Sequence, residues 1–350
     1  MTEQGSAARA SQRPDALDGT TAGVAAWRPG RFALLLTLAI AAAVAFVVSL
    51  LFGPDGLTLP ADAEAARLVL VEIRVPRAVL GFVVGGALGL AGAALQGFLR
   101  NPLAEPGLLG VSGGASLGAV IAVHTGAAGA FALALPLGGL AGAAIATLAV
   151  VLLAGARTSP VTLILAGVAI SSLAGALTSL ALNLAPNPFA SVEMLYWIMG
   201  SLNDRSLEHL WVAAPLVIAG GVILMTTAPA LDALSLGEDA ARNLGVDLDA
   251  LRRRLVGGVA LAVGAATAVT GTIGFVGLVV PHILRPLVGH SPGGLLLPSF
   301  LGGAIVVLAA DVGVRLLAPA GDIKLGVLTA LVGAPFFLWL VIASRRELAP

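Results

Sequence analysis

The 350-residue chain has no cysteine, which excludes thiolate metal sites, cysteine nucleophiles and disulfides and leaves its redox compartment unread. It has one lysine, Lys324 in GDIKLG, and no G-x-x-x-x-G-K-S/T loop to cradle phosphates, so any ATP that drives it binds to another chain. Its four histidines, His124, His209, His282 and His290, are scattered, and no two have the helical spacing of a zinc site. Neither a nucleophile elbow nor an acid–base dyad is present, which argues against an enzyme with covalent chemistry of its own. Charged residues make up only 11% and cancel to a formal net charge of zero, so nothing points to nucleic acid.

What fills the chain is apolar. Residues are 58% hydrophobic and the mean hydropathy is +1.00, so much of the chain must lie in lipid or against other membrane helices. Glycine (45 residues) and alanine are abundant and aromatics few, which suits helices whose backbones approach closely through small residues. The stretch from Arg74 to Gly118 is the most informative. It has two arginines, an uncharged run from Ala78 to Leu99, a polar Arg100-Asn101-Pro102 turn, and a second apolar, glycine-rich segment. An apolar run of about 20 residues matches the hydrocarbon core of a bilayer, so two such runs around a short turn make a membrane hairpin. Gly81, Gly85 and Gly89 form one small-residue stripe, read as a helix-packing face.

The pattern predicts an all-α integral membrane protein with about ten transmembrane helices, near 32–52, 76–99, 107–126, 133–155, 161–183, 208–228, 253–274, 276–288, 294–317 and 325–343. The eighth is too short to cross as a straight helix and is expected to be broken, tilted or shielded by neighbours. Residues 1–31 are polar and lack a hydrophobic period, and read as a disordered cytoplasmic tail; the run after them is too long for a secretory signal. With the N-terminus inside, 13 basic residues fall on the cytoplasmic side and 6 outside, as the positive-inside rule requires, and an even span count puts the C-terminus inside too.

Four polar features break the apolar background. Between spans six and seven lies Ser235-Leu236-Gly237-Glu238-Asp239-Ala240-Ala241-Arg242-Asn243-Leu244-Gly245-Val246. Ser235 and Glu238 have the spacing of a reciprocal capping box, and Gly245 can close the helix in a left-handed conformation. A mere connection needs few residues, so this capped amphipathic helix suits docking to a soluble partner; a helix resting on headgroups is the alternative. Arg74 and Arg77, before span two, and Arg315, ending span nine, lie on the outer side. They read either as snorkelling arginines or as a basic socket for an external partner's acids. Asp311, four residues before Arg315, is deeper in the membrane and is read as its structural ion-pair partner rather than as a proton relay. The cytoplasmic turns Asn101-Pro102-Leu103 and Thr158-Ser159-Pro160 are helix stops that also suit the lining of a closable exit.

Several segments together resemble the FecCD-type permeases of ABC importers for iron–siderophores, haem and vitamin B12. They are RVPRAVL, NPLAEPGLLGVSGGASLGA, LILAGVAI, LYWIMGSL, LGEDAARNLGV, GFVGLVVPHILR, LAADVGVR and GVLTALVGAPFFLWL. They occur in the family's order from Arg74 to the C-terminus; GDIKLG departs from the family's usual acid-Leu-Pro pattern in an outer loop. The resemblance implies a type II ABC importer permease-like bundle, with residues 32–350 as a ten-span permease domain and a cytoplasmic coupling region at about 229–252. It implies a homodimer in the bacterial inner membrane with the path on its two-fold axis. It also implies two ATPase subunits, holding ATP and magnesium, docked on Ser235–Val246. A periplasmic binding protein would have acids meeting Arg74, Arg77 and Arg315, and a cytoplasmic gate would lie at Asn101, Pro102, Leu103, Thr158 and Ser159. No cofactor bound by this chain itself is implied. The rival is a secondary transporter driven by an ion gradient, which would usually show membrane-buried acids or interrupted helices around a midplane site.

Overall fold

Helix α2 (Ala63–Leu99) is the axis of the bundle. In the computed structural model, which describes residues 30–53, 56–57, 62–155, 159–317 and 323–348, the other long helices are α1 (Arg31–Leu51), α4 (Ala134–Ala154), α5 (Pro160–Asn183), α6 (Leu207–Met225), α7 (Leu248–Thr270), α9 (Pro292–Leu317) and α10 (Leu325–Leu348). Two shorter apolar helices, α3 (Val111–His124) and α8 (Val276–Leu284), complete the set. The ten expected spans are therefore eight helices long enough to cross a bilayer and two that are not. No strand beyond an isolated bridge between Gly53 and Gly56 occurs among the described residues. The tail expected at residues 1–31 lies outside them save for Gly30 and Arg31.

Composition explains the packing. α2 touches α9, α8, α7, α6 and α1, and its closest neighbour is α9. A Cβ on Gly89 would stand 2.0 Å from the Ser299 carbonyl oxygen, and one on Gly303 would stand 2.1 Å from that of Gly85, so the two backbones touch directly. α3 and α4 repeat the arrangement through Gly118 against Gly138 and Gly142 against Gly114. Association of helices in lipid relies on such close approach, since apolar burial there brings no hydrophobic gain. On α1, by contrast, Phe32, Leu36, Ile40, Val44, Val47 and Leu51 recur every three or four residues and are exposed, a face for acyl chains.

Two helix starts and one added helix differ from expectation. α2 starts at Ala63, not Pro76, because Asp62 caps it (Oδ2 accepts from the Ala65 amide, 2.8 Å) and a π-helical turn at Val69–Arg74 precedes Pro76, which lacks the N–H an α ladder needs. α3 starts at Val111, because Pro106–Leu109 forms a 3-10 turn ending in Gly110 at φ 76°; its 14 residues rise about 21 Å, short of a full crossing. The short helix Pro188–Ile198, between α5 and α6, was not foreseen. Its cap, Asn187 accepting from the Ala190 amide at 2.9 Å, was legible in the Asn-Pro pair. The eighth span is short as expected: Val276–Leu284 and a 3-10 turn at Arg285–Val288, packed on α2 and α9.

Candidate coupling surface and transport path

At one end of the bundle α6 runs into the short helices Ala228–Leu234 and Glu238–Asn243, which lead to α7. Asp232 fixes the first, accepting from Ser291 Oγ (2.9 Å) and the Gly293 amide (2.8 Å) at the start of α9. The second is held by Ala241, fully buried, while Leu236 and Leu244 on either side of it are 70% and 64% exposed. Asp239, Arg242 and Asn243 are exposed with them.

The capping box expected here does not form. Ser235 lies in the αR region at the end of the preceding helix and donates to the Asp232 carbonyl, and Gly237, at φ 104°, starts the second helix instead. Glu238 turns outward to Arg242 (3.5 Å) and to Arg100 (3.7 Å). The far end is a Schellman turn: Gly245 at φ 84°, with the Val246 amide donating to Ala241 and that of Gly245 to Arg242. Asp247 then caps α7, accepting from the Asp249 and Ala250 amides, both at 2.9 Å. Those bonds, from Ala250 first, and the nearby Arg253 and Arg254 hold its carboxyl below the usual carboxylate range.

The two expected gate turns reach the same region. Arg100 ends α2 in the left-handed region at φ 48°, and Asn101 Oδ1 accepts from the Leu103 amide at 2.9 Å. Asn101 and Pro102 are exposed. Ser159 caps α5, its Oγ accepting from the Thr162 amide; Thr158 lies outside the described residues. A cleft of about 430 Å³ joins Ser159 to Glu238, Arg242 and Arg252.

Inside the bundle the segments 100–110 and 271–275 are neither helix nor strand for most of their length, yet pack against helices. Gln96, the only polar side chain between Ala78 and Leu99, ties the first of these segments to the first turn of α8. Its Nε2 donates to the carbonyls of Ala104 and Gly277 (both 3.3 Å) and Leu278 (3.2 Å), and its Oε1 accepts from Arg285. Glu105 likewise ties that segment to Phe275, accepting from its amide at 2.8 Å. Sequence reasoning singled out neither residue, although a lone glutamine in an apolar run is a signal that broken backbone lies opposite. Beside this junction a groove of about 730 Å³, lined by Met199, Thr272, Phe275, Val327, Leu331 and Leu338, runs along α10. Lys324 stands at the start of α10 with its Nζ 4.5 Å from the centre of the Tyr196 ring.

At the opposite end from the coupling helix, the three arginines expected to face an external partner turn inward. Arg74 donates to the carbonyls of Leu50 (3.1 Å) and Leu51 (2.7 Å). Arg315 donates to Phe52 O, Ser49 O (3.0 Å) and Ser49 Oγ (2.9 Å), and pairs with Asp311 at 2.8 Å. Arg77 takes the other side of Asp311, also at 2.8 Å. The orphan carbonyls and negative dipole end of α1 supply the acceptors. That end of α1 lies more than 20 positions before Arg74, so no pattern local to Arg74 signals it.

The profile of the FecCD transport family matches residues 30–343. The vitamin B12 import system permease protein BtuC of Citrobacter koseri is 40% identical over 315 residues, covering 89% of this chain and 94% of that protein. The cobalamin import system permease protein BtuC of Halobacterium salinarum is 40% identical over 281 residues, covering 79% of this chain and 74% of its own. Among solved structures, an inward-facing ABC transporter assigned to the metal-chelate type superposes with a TM-score of 0.81 at 32% identity, covering 89% of this chain and 99% of that one.

Proposed function

The chain belongs to the FecCD transport family as a multi-pass ABC importer permease, and from that premise we propose that it carries a large metal chelate inward across the bacterial inner membrane, a corrinoid before an iron–siderophore or haem. Two relatives that are permeases for vitamin B12 or cobalamin support the choice of corrinoid. The observation that carries the mechanism is the helix Glu238–Asn243, pinned by buried Ala241 and flanked by exposed Leu236 and Leu244. It is built to be held from outside the membrane.

In this reading both termini are cytoplasmic, two copies pair about a two-fold axis, and their α10 grooves face each other as one path. Thr272 is the only hydroxyl among the six groove residues named above, so a bulky chelate meets mostly weak, apolar contacts and can leave as readily as it enters. Two separate ATPase subunits, with ATP and magnesium, dock on Ser235–Val246. Their movement reaches the α2–α3 turn through the Glu238–Arg100 pair, and the α5 turn through the cleft that Glu238 shares with Ser159. Asn101, Pro102, Leu103, Thr158 and Ser159 then open and close the exit by alternating access. On the other side a binding protein delivers the chelate. Arg74, Arg77 and Arg315 shape that face by fastening α1 to α2 and α9.

The test is uptake by proteoliposomes holding the permease, its ATPase and its binding protein, with labelled cobalamin, ferric siderophore and haem compared. ATP-dependent cobalamin uptake is expected. Uptake driven by an ion gradient without ATP would sink the importer mechanism, and uptake of iron chelates alone would sink the corrinoid.

A further inference from the structure

A second groove lies beside the coupling cleft, where α4, α5 and the start of α7 meet. It holds about 500 Å³, with Val151 and Leu152 from α4, Leu163 from α5 and Val256 from α7 in its walls. Thr147, also in the wall, donates its hydroxyl to the Ala143 carbonyl of its own helix at 2.8 Å, so the wall stays apolar. Gly257 lines the groove, and a Cβ added there meets nothing within 4 Å.

Arg252 and Arg253 are the charged residues of the lining. Arg252 holds Asp249 at 2.9 Å. Arg253 and its neighbour Arg254 are exposed and make no ion pair among the described residues. An apolar channel in a membrane protein is filled by an acyl chain whatever the headgroup. What distinguishes this channel is the Arg253 guanidinium at the end where a headgroup would sit; Arg253 and Arg254 together outweigh the nearby Asp247 carboxylate and leave net positive charge there. A choline headgroup brings its own cation to that place; a phosphate without one complements it.

We propose that this groove is a binding site for an anionic phospholipid of the inner leaflet. The phosphate sits against Arg253, and one acyl chain passes over Gly257 between α4 and α7. The inference rests on the orientation proposed above, which puts the start of α7 at the cytoplasmic face. Because Arg252 lines both this groove and the coupling cleft, lipid occupancy and coupling share a side chain.

The experiment is native mass spectrometry of the full-length permease, released from micelles containing phosphatidylglycerol or phosphatidylcholine with the same chains. Wild type is expected to retain phosphatidylglycerol about fivefold better per arginine engaged, the ratio that one basic side chain near an anionic headgroup gives. Arg253→Gln should lose that share of the preference and Arg253→Lys should keep it. Gly257→Leu, which fills open space, should reduce retention of both lipids. An unchanged preference in Arg253→Gln, or unchanged retention in Gly257→Leu, overturns the site. So does loss of ATPase association in Arg253→Gln with lipid preference intact, since the arginines would then serve the protein partner. Orientation is read separately by labelling Arg253→Cys, in a chain with no native cysteine, with a membrane-impermeant thiol reagent from each side.

Discussion

Arg77 and Asp311 stand 234 positions apart in the chain and meet as a two-point ion pair, Nη2 to Oδ1 at 2.8 Å and Nε to Oδ2 at 3.0 Å. Asp311 is 1% exposed and holds Arg315 as well, so one carboxylate serves two guanidinium groups. The remaining positive charge is met by the carbonyls that end α1. Three helices are thereby locked at one level.

Replacing Asp311 with Asn should leave both guanidinium groups without their counter-charge. Loss of one partner from a buried pair costs about 3–5 kcal/mol, readable as a large drop in unfolding midpoint in detergent. Arg77→Gln should likewise lower stability while the folded fraction keeps its affinity for the binding protein. Normal stability with selectively weakened binding would restore these arginines to an external socket.

Ser235→Ala and Glu238→Ala should behave differently. The Ser235 hydroxyl only returns to the Asp232 carbonyl of its own exposed helix end, so its loss should change stability by no more than about 0.5 kcal/mol and leave uptake alone. Glu238 makes the contact with Arg100, and exposed pairs of this kind contribute at most about 1 kcal/mol, so its loss should barely alter folding. Uptake per ATP hydrolysed in proteoliposomes should nevertheless fall. Equal coupling in the two variants would remove Glu238 from the linkage.

Gln96→Leu preserves bulk but strips Arg285, and the carbonyls of Ala104, Gly277 and Leu278 that share two amide hydrogens, of their partner. Each buried acceptor left unmet costs about 1–3 kcal/mol, so this single change should destabilise more than any surface substitution. Thermal unfolding checks it. A midpoint within a degree of wild type would mean that water replaces the side chain.

Asp247 gives the start of α7 a pH dependence. Its folded carboxyl titrates below the usual range, so its contribution is complete above the unfolded value near about pH 4 and is lost as pH falls through the lower folded value. Asn caps helices too, without the charge. The gap in unfolding midpoint between wild type and Asp247→Asn should therefore be open at neutral pH and close in acid. A gap that does not change with pH would remove the carboxylate charge from the explanation.

The spans were legible because a bilayer dictates composition over about 20 residues at a time. Their ends were less so. Pro76 reads locally as a helix start, but a π turn absorbs it; Pro106-Gly107 and Gly110 sit in an apolar run, yet break the third span. Gly245 was readable because the left-handed cap is a property of the residue itself. Ser235–Glu238 was misread because the capping box also needs an extended first residue, and the preceding helix keeps Ser235 helical. The direction of Arg74 and Arg77 depended on carbonyls at 50–51 and a carboxylate at 311, which no local pattern contains.

The glycine contacts have a mechanical consequence. Where Gly89 lies on the Ser299 carbonyl and Gly303 on that of Gly85, no side chains intervene to re-form their packing, so neither backbone can slide past the other without opening a void. α2 and α9 are a single stiff beam, and α3 with α4 is a second. Compliance is left to the non-helical links at 100–110 and 271–275. A push on Arg100 at the tip of α2 should swing the first beam whole, with no lost motion along it. Spin labels at Ile73 of α2 and Val306 of α9, both exposed, should keep one separation through the nucleotide cycle, while labels bridging the two beams do not.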